Sequence, residues 1–298
     1  MKVGVTLKMY DYYTYRPKTV AEIADQARRA ETLGFDSVWV MDHVFIQRSS
    51  GRVLAHDPLL TLGHVAAATS RIVIGSLVLS YAFRHVVQLA REASALADSS
   101  GGRFVLGLGT GWHRPEFDAL GMPYDHRVAR LESAVEPLQQ ILRGQRVTTR
   151  SEWLDLTEAS IAATSSPPPI WIAAERPRML SLAARCDGWN HAYWGAENTG
   201  RFRTALAGLH EAIDRVGRQR GQVETSATIA CVLDGWRKVP GGFSEEEVAV
   251  GSAADLAQLV RNYADAGADQ VIISLSPDPY AEADAGALEK SRQILELV

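Results

Sequence analysis

At 298 residues, with 46% hydrophobic and 22% charged positions, the chain has the size and composition of one globular α/β domain, 1–298, able to bury a large core. A net charge of −4 and a pI near 6.1 argue against nucleic acid or an anionic membrane as the partner and in favour of a small molecule. Two cysteines, Cys186 and Cys231, make no disulfide framework. Nor is there a signal core or a run of about 20 apolar residues, so a cytoplasmic location is expected.

Strand-like runs then alternate with helix-period segments along the chain, the pattern of successive βα units. Strands are expected at 2–7, 37–41, 72–78, 104–109, 170–173, 188–191, 225–233 and 270–275. A helix over 19–33 stops at Gly34, and Asp57-Pro58 supplies a cap followed by proline at the first helical position. A helix over 253–266 stops at Gly267, and 288–298 reads as a closing helix. Two stretches break the spacing. One, 144–169, contains Ser165-Ser166-Pro167-Pro168-Pro169; the other, 234–251, contains Pro240-Gly241-Gly242 and Glu245-Glu246-Glu247. Eight units with insertions after strands four and seven predict a (β/α)8 TIM barrel, each insertion being either a lid or a covering loop.

In such a barrel the C-terminal ends of the strands carry the chemistry. Strand two ends in Asp42-His43, strand four in Gly109-Thr110-Gly111-Trp112-His113, strand six in Asn190-His191-Ala192-Tyr193-Trp194 and strand eight in Ser274-Leu275-Ser276. His43 is a candidate acid or base, because an imidazole titrates near neutral pH. Asp42 alternates to the other strand face and is expected to orient backbone or a neighbouring loop. The small residues of Gly107-Leu108-Gly109-Thr110-Gly111 either bring backbone close to a flat ring or phosphate, or are a structural strand end. Their spacing and their place after the fourth strand argue against a dinucleotide fingerprint. Trp112 either stacks on a ring or packs under the next helix.

After strand five, Ala173-Ala174-Glu175-Arg176-Pro177-Arg178 places a helix start where amides, with Arg176 or Arg178, suit a phosphate, provided Glu175 points away. The eight histidines, 43, 56, 64, 85, 113, 126, 191 and 210, lie in separate units without metal-ligand spacing, and no metal is expected. No Gly-x-Ser-x-Gly elbow supports a hydrolase.

Several segments together resemble the luciferase-like superfamily of flavin monooxygenases and F420-dependent oxidoreductases. They are Leu33-Gly34-Phe35-Asp36-Ser37-Val38-Trp39-Val40-Met41-Asp42-His43, Ala68-Thr69-Ser70-Arg71-Ile72-Val73-Ile74-Gly75 and Ser100-Gly101-Gly102-Arg103-Phe104 with Gly107 to Trp112. Glu116-Phe117, Leu120-Gly121, Pro169-Ile170-Trp171-Ile172 and Ala183-Ala184-Arg185-Cys186-Asp187-Gly188-Trp189 complete the set. The resemblance implies a barrel with the ring of FMN or F420 lying across the strand ends and His43 beside the reactive ring. It also implies a non-proline cis peptide at Leu77-Val78 behind the ring, and phosphate held by the amides of Ala174, Glu175 and Arg176. Asp42 and the segment Gly109, Thr110, Gly111 and Trp112 would complete the cofactor contacts, with His113, His191 and Trp194 lining the substrate pocket. The sugar-phosphate branch that uses F420 carries a glutamate acid where Trp112 stands, so that activity is not expected.

The leading expectation is hydride transfer between F420 and a small organic substrate. An alternative is an FMN-dependent monooxygenase that takes reduced flavin from a separate reductase and reacts it with O2. Two others are a non-catalytic flavin-binding barrel and a sugar- or phosphate-metabolising TIM barrel without flavin. The resemblance further implies a homodimer built on the apolar helices around 59–68 and 85–97.

Overall fold

The computed structural model describes residues 1–10, 16–48, 51–192, 199–233, 248–276 and 292–298. Eight strands form its centre: Lys2–Thr6, Ser37–Val40, Val73–Ser76, Phe104–Gly109, Ile170–Ala173, Gly188–Ala192, Glu224–Leu233 and Gln270–Ser276. Each pairs in parallel with the next, and the eighth pairs with the first, Val3 facing Val271. This ring is the closed (β/α)8 barrel that the alternating pattern predicts.

Helix boundaries follow their capping chemistry. In Val20–Leu33 the Thr19 hydroxyl accepts from the Glu22 amide while the Glu22 carboxylate takes the Thr19 amide, and Gly34 ends the helix in the left-handed region at φ 94°. Pro58–Ala68 is capped by Asp57, and Ala253–Asp265 by a box between Ser252 and Asp255. The stretch 144–169 holds an antiparallel hairpin, Val147–Arg150 with Asp155–Ala159. A second hairpin, Phe45–Arg48 with Gly51–Leu54, follows strand two and has no counterpart in the sequence-based expectation. Of the second irregular stretch, 234–247 lies outside the described residues; Ala249–Gly251 pairs with strand seven. The closing helix is seen at 292–297, and 288–291 fall outside the described residues.

Because side chains alternate along a strand, each strand serves two cores. One face packs Val3, Val5, Val38, Val40, Leu106, Leu108, Ile170 and Ile172 against the helices. The other fills the barrel, whose floor is Trp39, Val105, Trp171 and Ile272. The two indole rings lie 5.1 Å apart and tilted by 32°. They fit because neighbouring strands give way: a Cβ on Gly75 would sit 2.3 Å from Trp39, and one on Gly188 2.3 Å from Trp171.

Above this floor the interior turns polar. Thr6 Oγ1 and Lys8 Nζ each donate to Ser274 Oγ at 3.1 Å, and Asn190 Nδ2 donates to Ser226 Oγ and Thr228 Oγ1 at 2.9 and 3.0 Å. An apolar floor under a polar layer gives the barrel a direction. Polar groups converge at the strand C-terminal ends, hereafter the mouth.

Candidate functional site at the barrel mouth

The ends of strands two, three and four form one interlocked wall. Past Ser76 the third strand bulges, with a cis peptide at Leu77-Val78, and the Leu77 amide returns to Val40 O at 2.7 Å. After the bulge Leu79–Ser80 rejoins strand four, Leu79 facing Leu108. The bulge explains the glycines of strand four. A Cβ on Gly107 would stand 2.0 Å from Ser76 O, and one on Gly109 2.6 Å from Val78 Cγ2. At both positions glycine makes room for the bulge, so the bareness of strand four answers first to chain packing. Gly111 adopts φ +72°, and a Cβ there would strike Ser80 Oγ at 2.5 Å.

Asp42 is buried, and its carboxylate accepts from the Ser80 amide at 2.9 Å and from both Arg84 Nη atoms. Burial works against the Arg84 charge, yet hydrogen bonding and charge from Asp42, then the charge of Asp57, hold its pKa above the ordinary value. Asp42 therefore anchors the chain leaving the bulge. This is the orienting of backbone and a neighbouring loop expected from its strand face, and the carboxylate is engaged by Ser80 and Arg84.

His43, one residue further, turns to the mouth. Its Nδ1 lies 3.1 Å from Glu116 Oε2, while Glu116 Oε1 accepts from the Val44 and Phe45 amides at 2.6 and 3.3 Å. Glu116 thus ties strand ends two and four together across the bulge. Its own exposure is 2%, although it belongs to a short helix, Arg114–Leu120. Trp112 meets His43 edge-on at 5.6 Å and is 66% exposed; it does not pack under the following helix. His113 stands 6.4 Å from His43 and 5.9 Å from Phe45. Burial pushes the His113 pKa down; the Glu116 charge opposes this and His43 adds to it. His113 Nε2 is buried without a hydrogen-bond partner among the described residues.

Strand ends five and six differ from expectation. The Ala174 amide donates to Asn190 O at 3.1 Å, and Ala174 O accepts from Trp189 Nε1 at 2.7 Å. The Ala174 amide, expected at a phosphate, is thus engaged in strand pairing. Glu175 pairs with Arg201, and Arg178 with Glu132 at 2.5 Å. Arg176, the residue before the helix Pro177–Ala183, is exposed.

His191, expected in the substrate pocket, lies on the outer face of its strand. Gly188 and Asn190 face the barrel interior, so alternation turns Trp189 and His191 outward. His191 is 1% exposed, 5.8 Å from the rings of both Trp189 and Phe202, the latter on helix Thr199–Arg215. Burial pushes its pKa down to about 4, with Glu175 opposing and Arg201 assisting. Among the described residues it packs on the helix side of strand six. Trp194 lies outside the described residues.

Two mouth residues escaped the sequence reading. Glu116 was visible only as a resemblance marker; its signal is a carboxylate at i+3 from His113 in a helix's first turn. Lys8 follows Gly4 and Thr6 on the inward face of strand one, a period-2 signal. Its backbone is clamped where the strand ends, the amide donating to Gln26 Oε1 at 2.8 Å and the carbonyl accepting from Gln26 Nε2 at 3.0 Å.

A family model described as luciferase-like monooxygenase matches residues 1–239. A 5,10-methylenetetrahydromethanopterin reductase of Methanolobus tindarius is 30% identical over an alignment covering 90% of this chain and 74% of the relative. An F420-dependent glucose-6-phosphate dehydrogenase of Kineococcus radiotolerans is 33% identical, covering 72% of this chain and 64% of its own length, so the match spans less than two thirds of that relative. Among solved structures, an F420-dependent secondary alcohol dehydrogenase in complex with an F420-acetone adduct superposes with a TM-score of 0.84 at 15% identity, covering 100% of this chain and 98% of the other. An EDTA monooxygenase from Chelativorans superposes with a TM-score of 0.80 at 12% identity, covering 100% and 93%. At such identities the structural likeness speaks for the fold alone.

Proposed function

This chain belongs to the luciferase-like monooxygenase family, and we propose that within it the protein is an oxidoreductase that binds coenzyme F420 across the mouth and exchanges a hydride with a small organic substrate. The observation that carries this reading is the wall of strand ends two to four. There Glu116 holds His43, and the exposed Trp112 meets the His43 ring edge-on, beside the strand end that carries the Leu77-Val78 bulge. Sequence relatives named as F420-dependent support F420 over FMN.

The residues present suit such a cofactor. The bulge offers Leu77 and Val78 as an apolar backing, and Gly109, Thr110 and Gly111 keep the neighbouring rim low, while Trp112 presents an aromatic face. The amides of Glu175 and Arg176 and the Arg176 guanidinium offer donors and positive charge to a phosphate; Arg201 offsets the Glu175 charge. Bound F420 would supply a carbon that takes up or gives a hydride. His43 would hold or accept a proton at the substrate oxygen, His113 would line the pocket as a neutral ring, and the wall would keep water from the reacting face.

The whole of 1–298 then acts as one catalytic domain in the cytoplasm, and a separate reductase would recycle its cofactor. A homodimer through helices Pro58–Ala68 and Val86–Ser99 fits the exposure of Leu60, 78%, on the first of them.

The reading is tested by titrating apo-protein separately with F420 and FMN, each oxidised and reduced, following absorbance and fluorescence. Tighter binding of F420 is expected. FMN binding alone would move the protein to the monooxygenase reading, and binding of neither would reject a flavin-type site.

A further inference from the structure

We propose that Glu116 is a positioning residue that fixes His43 in the tautomer carrying its proton on Nδ1, which leaves Nε2 as a proton acceptor at the mouth. The assignment follows from donor and acceptor counting. Glu116 Oε1 faces two backbone amides, those of Val44 and Phe45. Both are obligatory donors, so the carboxylate is held as an acceptor in a place nearly closed to water. Its other oxygen faces His43 Nδ1 at 3.1 Å. As a carboxylate Glu116 has no proton to give, and Nδ1 then donates. In a neutral imidazole the second nitrogen is then a lone pair. Nε2 makes no hydrogen bond among the described residues and lies on the ring edge turned away from Glu116.

The geometry is supported from both sides. Val44 and Phe45 directly follow His43, so the amides that hold Glu116 belong to the strand end that carries the imidazole. Burial pushes the pKa of His113, the other mouth histidine, down, which disfavours a competing positive charge beside His43.

A single-atom change separates this role from simple packing. In Glu116→Gln the side-chain carbonyl must face the Val44 and Phe45 amides, because an NH2 there would leave donors against donors. The NH2 then faces Nδ1, which has to become the acceptor, and the proton moves to Nε2. The mouth atom changes from acceptor to donor with almost no change in volume.

The tautomer is read directly in apo-protein labelled with 15N-histidine, by long-range 1H–15N spectra at about pH 8.5, two units above the ordinary imidazole pKa. The His43 signals are those lost in His43→Ala. The expected result is an Nδ1–H tautomer in the wild type and an Nε2–H tautomer in Glu116→Gln. An Nε2–H wild type would overturn the proposal without any Glu116 variant, as would the same tautomer in both proteins. Glu116→Asp, which keeps an acceptor, is expected to retain Nδ1–H. Only the effect on rate rests on the proposed function: with F420 bound, Glu116→Gln should lower kcat about 10- to 100-fold at nearly constant KM. A switched tautomer with unchanged kcat would leave Glu116 as the positioning residue and count against the oxidoreductase role of His43.

Discussion

His43 and His191 stand near the ends of strands two and six, and the chain offers each an aromatic neighbour and a glutamate. Their surroundings nevertheless differ in kind. His43 leaves its strand on the mouth side, partly exposed, with one nitrogen on a buried carboxylate and no hydrogen bond to the other among the described residues. His191 leaves on the helix side, where Trp189 and Phe202 enclose it and burial pushes its pKa down to about 4. The difference is one of strand parity. A histidine at a barrel strand end is chemical equipment only if its side chain emerges on the inner face or beyond the last strand pair; one position away it becomes core.

The sharpest way to break this comparison is in turnover. His43→Ala is expected to lower F420-linked hydride transfer about 10²- to 10⁴-fold with the melting temperature preserved, whereas His191→Phe should leave turnover within about twofold. Equal losses from the two variants would erase the distinction.

Next in size is the packing that shapes the His43 wall. Gly107→Ala puts a Cβ 2.0 Å from Ser76 O, a backbone atom that cannot move without the bulge, and should cost about 3 kcal/mol or more in chemical denaturation. Gly63→Ala, inside helix Pro58–Ala68 with nothing within 4 Å of the new atom, should instead stabilise by about 0.5 kcal/mol.

The acid limb probes the other histidine. Because burial depresses the His191 pKa from 6.5 to about 4, the unfolded chain binds more protons between those values, and stability falls as pH drops through that window. Its share is about 2 kcal/mol between about pH 7.5 and about pH 5. His191→Phe should flatten the denaturation midpoint across that range; an unchanged slope would mean that His191 is hydrated or charged in the folded protein.

The smallest effect belongs to the rim. With Trp112 66% exposed, Trp112→Ala should hardly move the melting temperature, yet weaken F420 binding by about 1 kcal/mol, roughly fivefold in a titration. Loss of stability without loss of affinity would make Trp112 a packing residue.

Much of the barrel was legible in the chain because its signals are local. Alternating runs, Thr19 with Glu22, Asp57 with Pro58, and Gly34 in a left-handed turn each act within a few residues, and they placed the strands to within about two positions. The hairpin Phe45–Arg48 with Gly51–Leu54 was not legible, since it is short and carries no clean alternation. At the site, local signals ran out sooner. Alternation turned Asp42 to the other strand face and suggested that it orients a neighbouring loop, but its partners Ser80 and Arg84 lie about 40 positions away, where no spacing rule reaches. The Ala174 amide, expected at a phosphate, is engaged by strand six.

What the sequence determined by itself is therefore the order and kind of the elements, the family-like segments, and the presence of His43 at a strand end, because each depends on neighbours along the chain. Tertiary structure alone decided which strand face each histidine occupies, which carboxylate reaches which ring, and why strand four is bare. Those depend on closure of the barrel, which brings Glu116 to His43 across 73 positions and presses the Val78 side chain against Gly109.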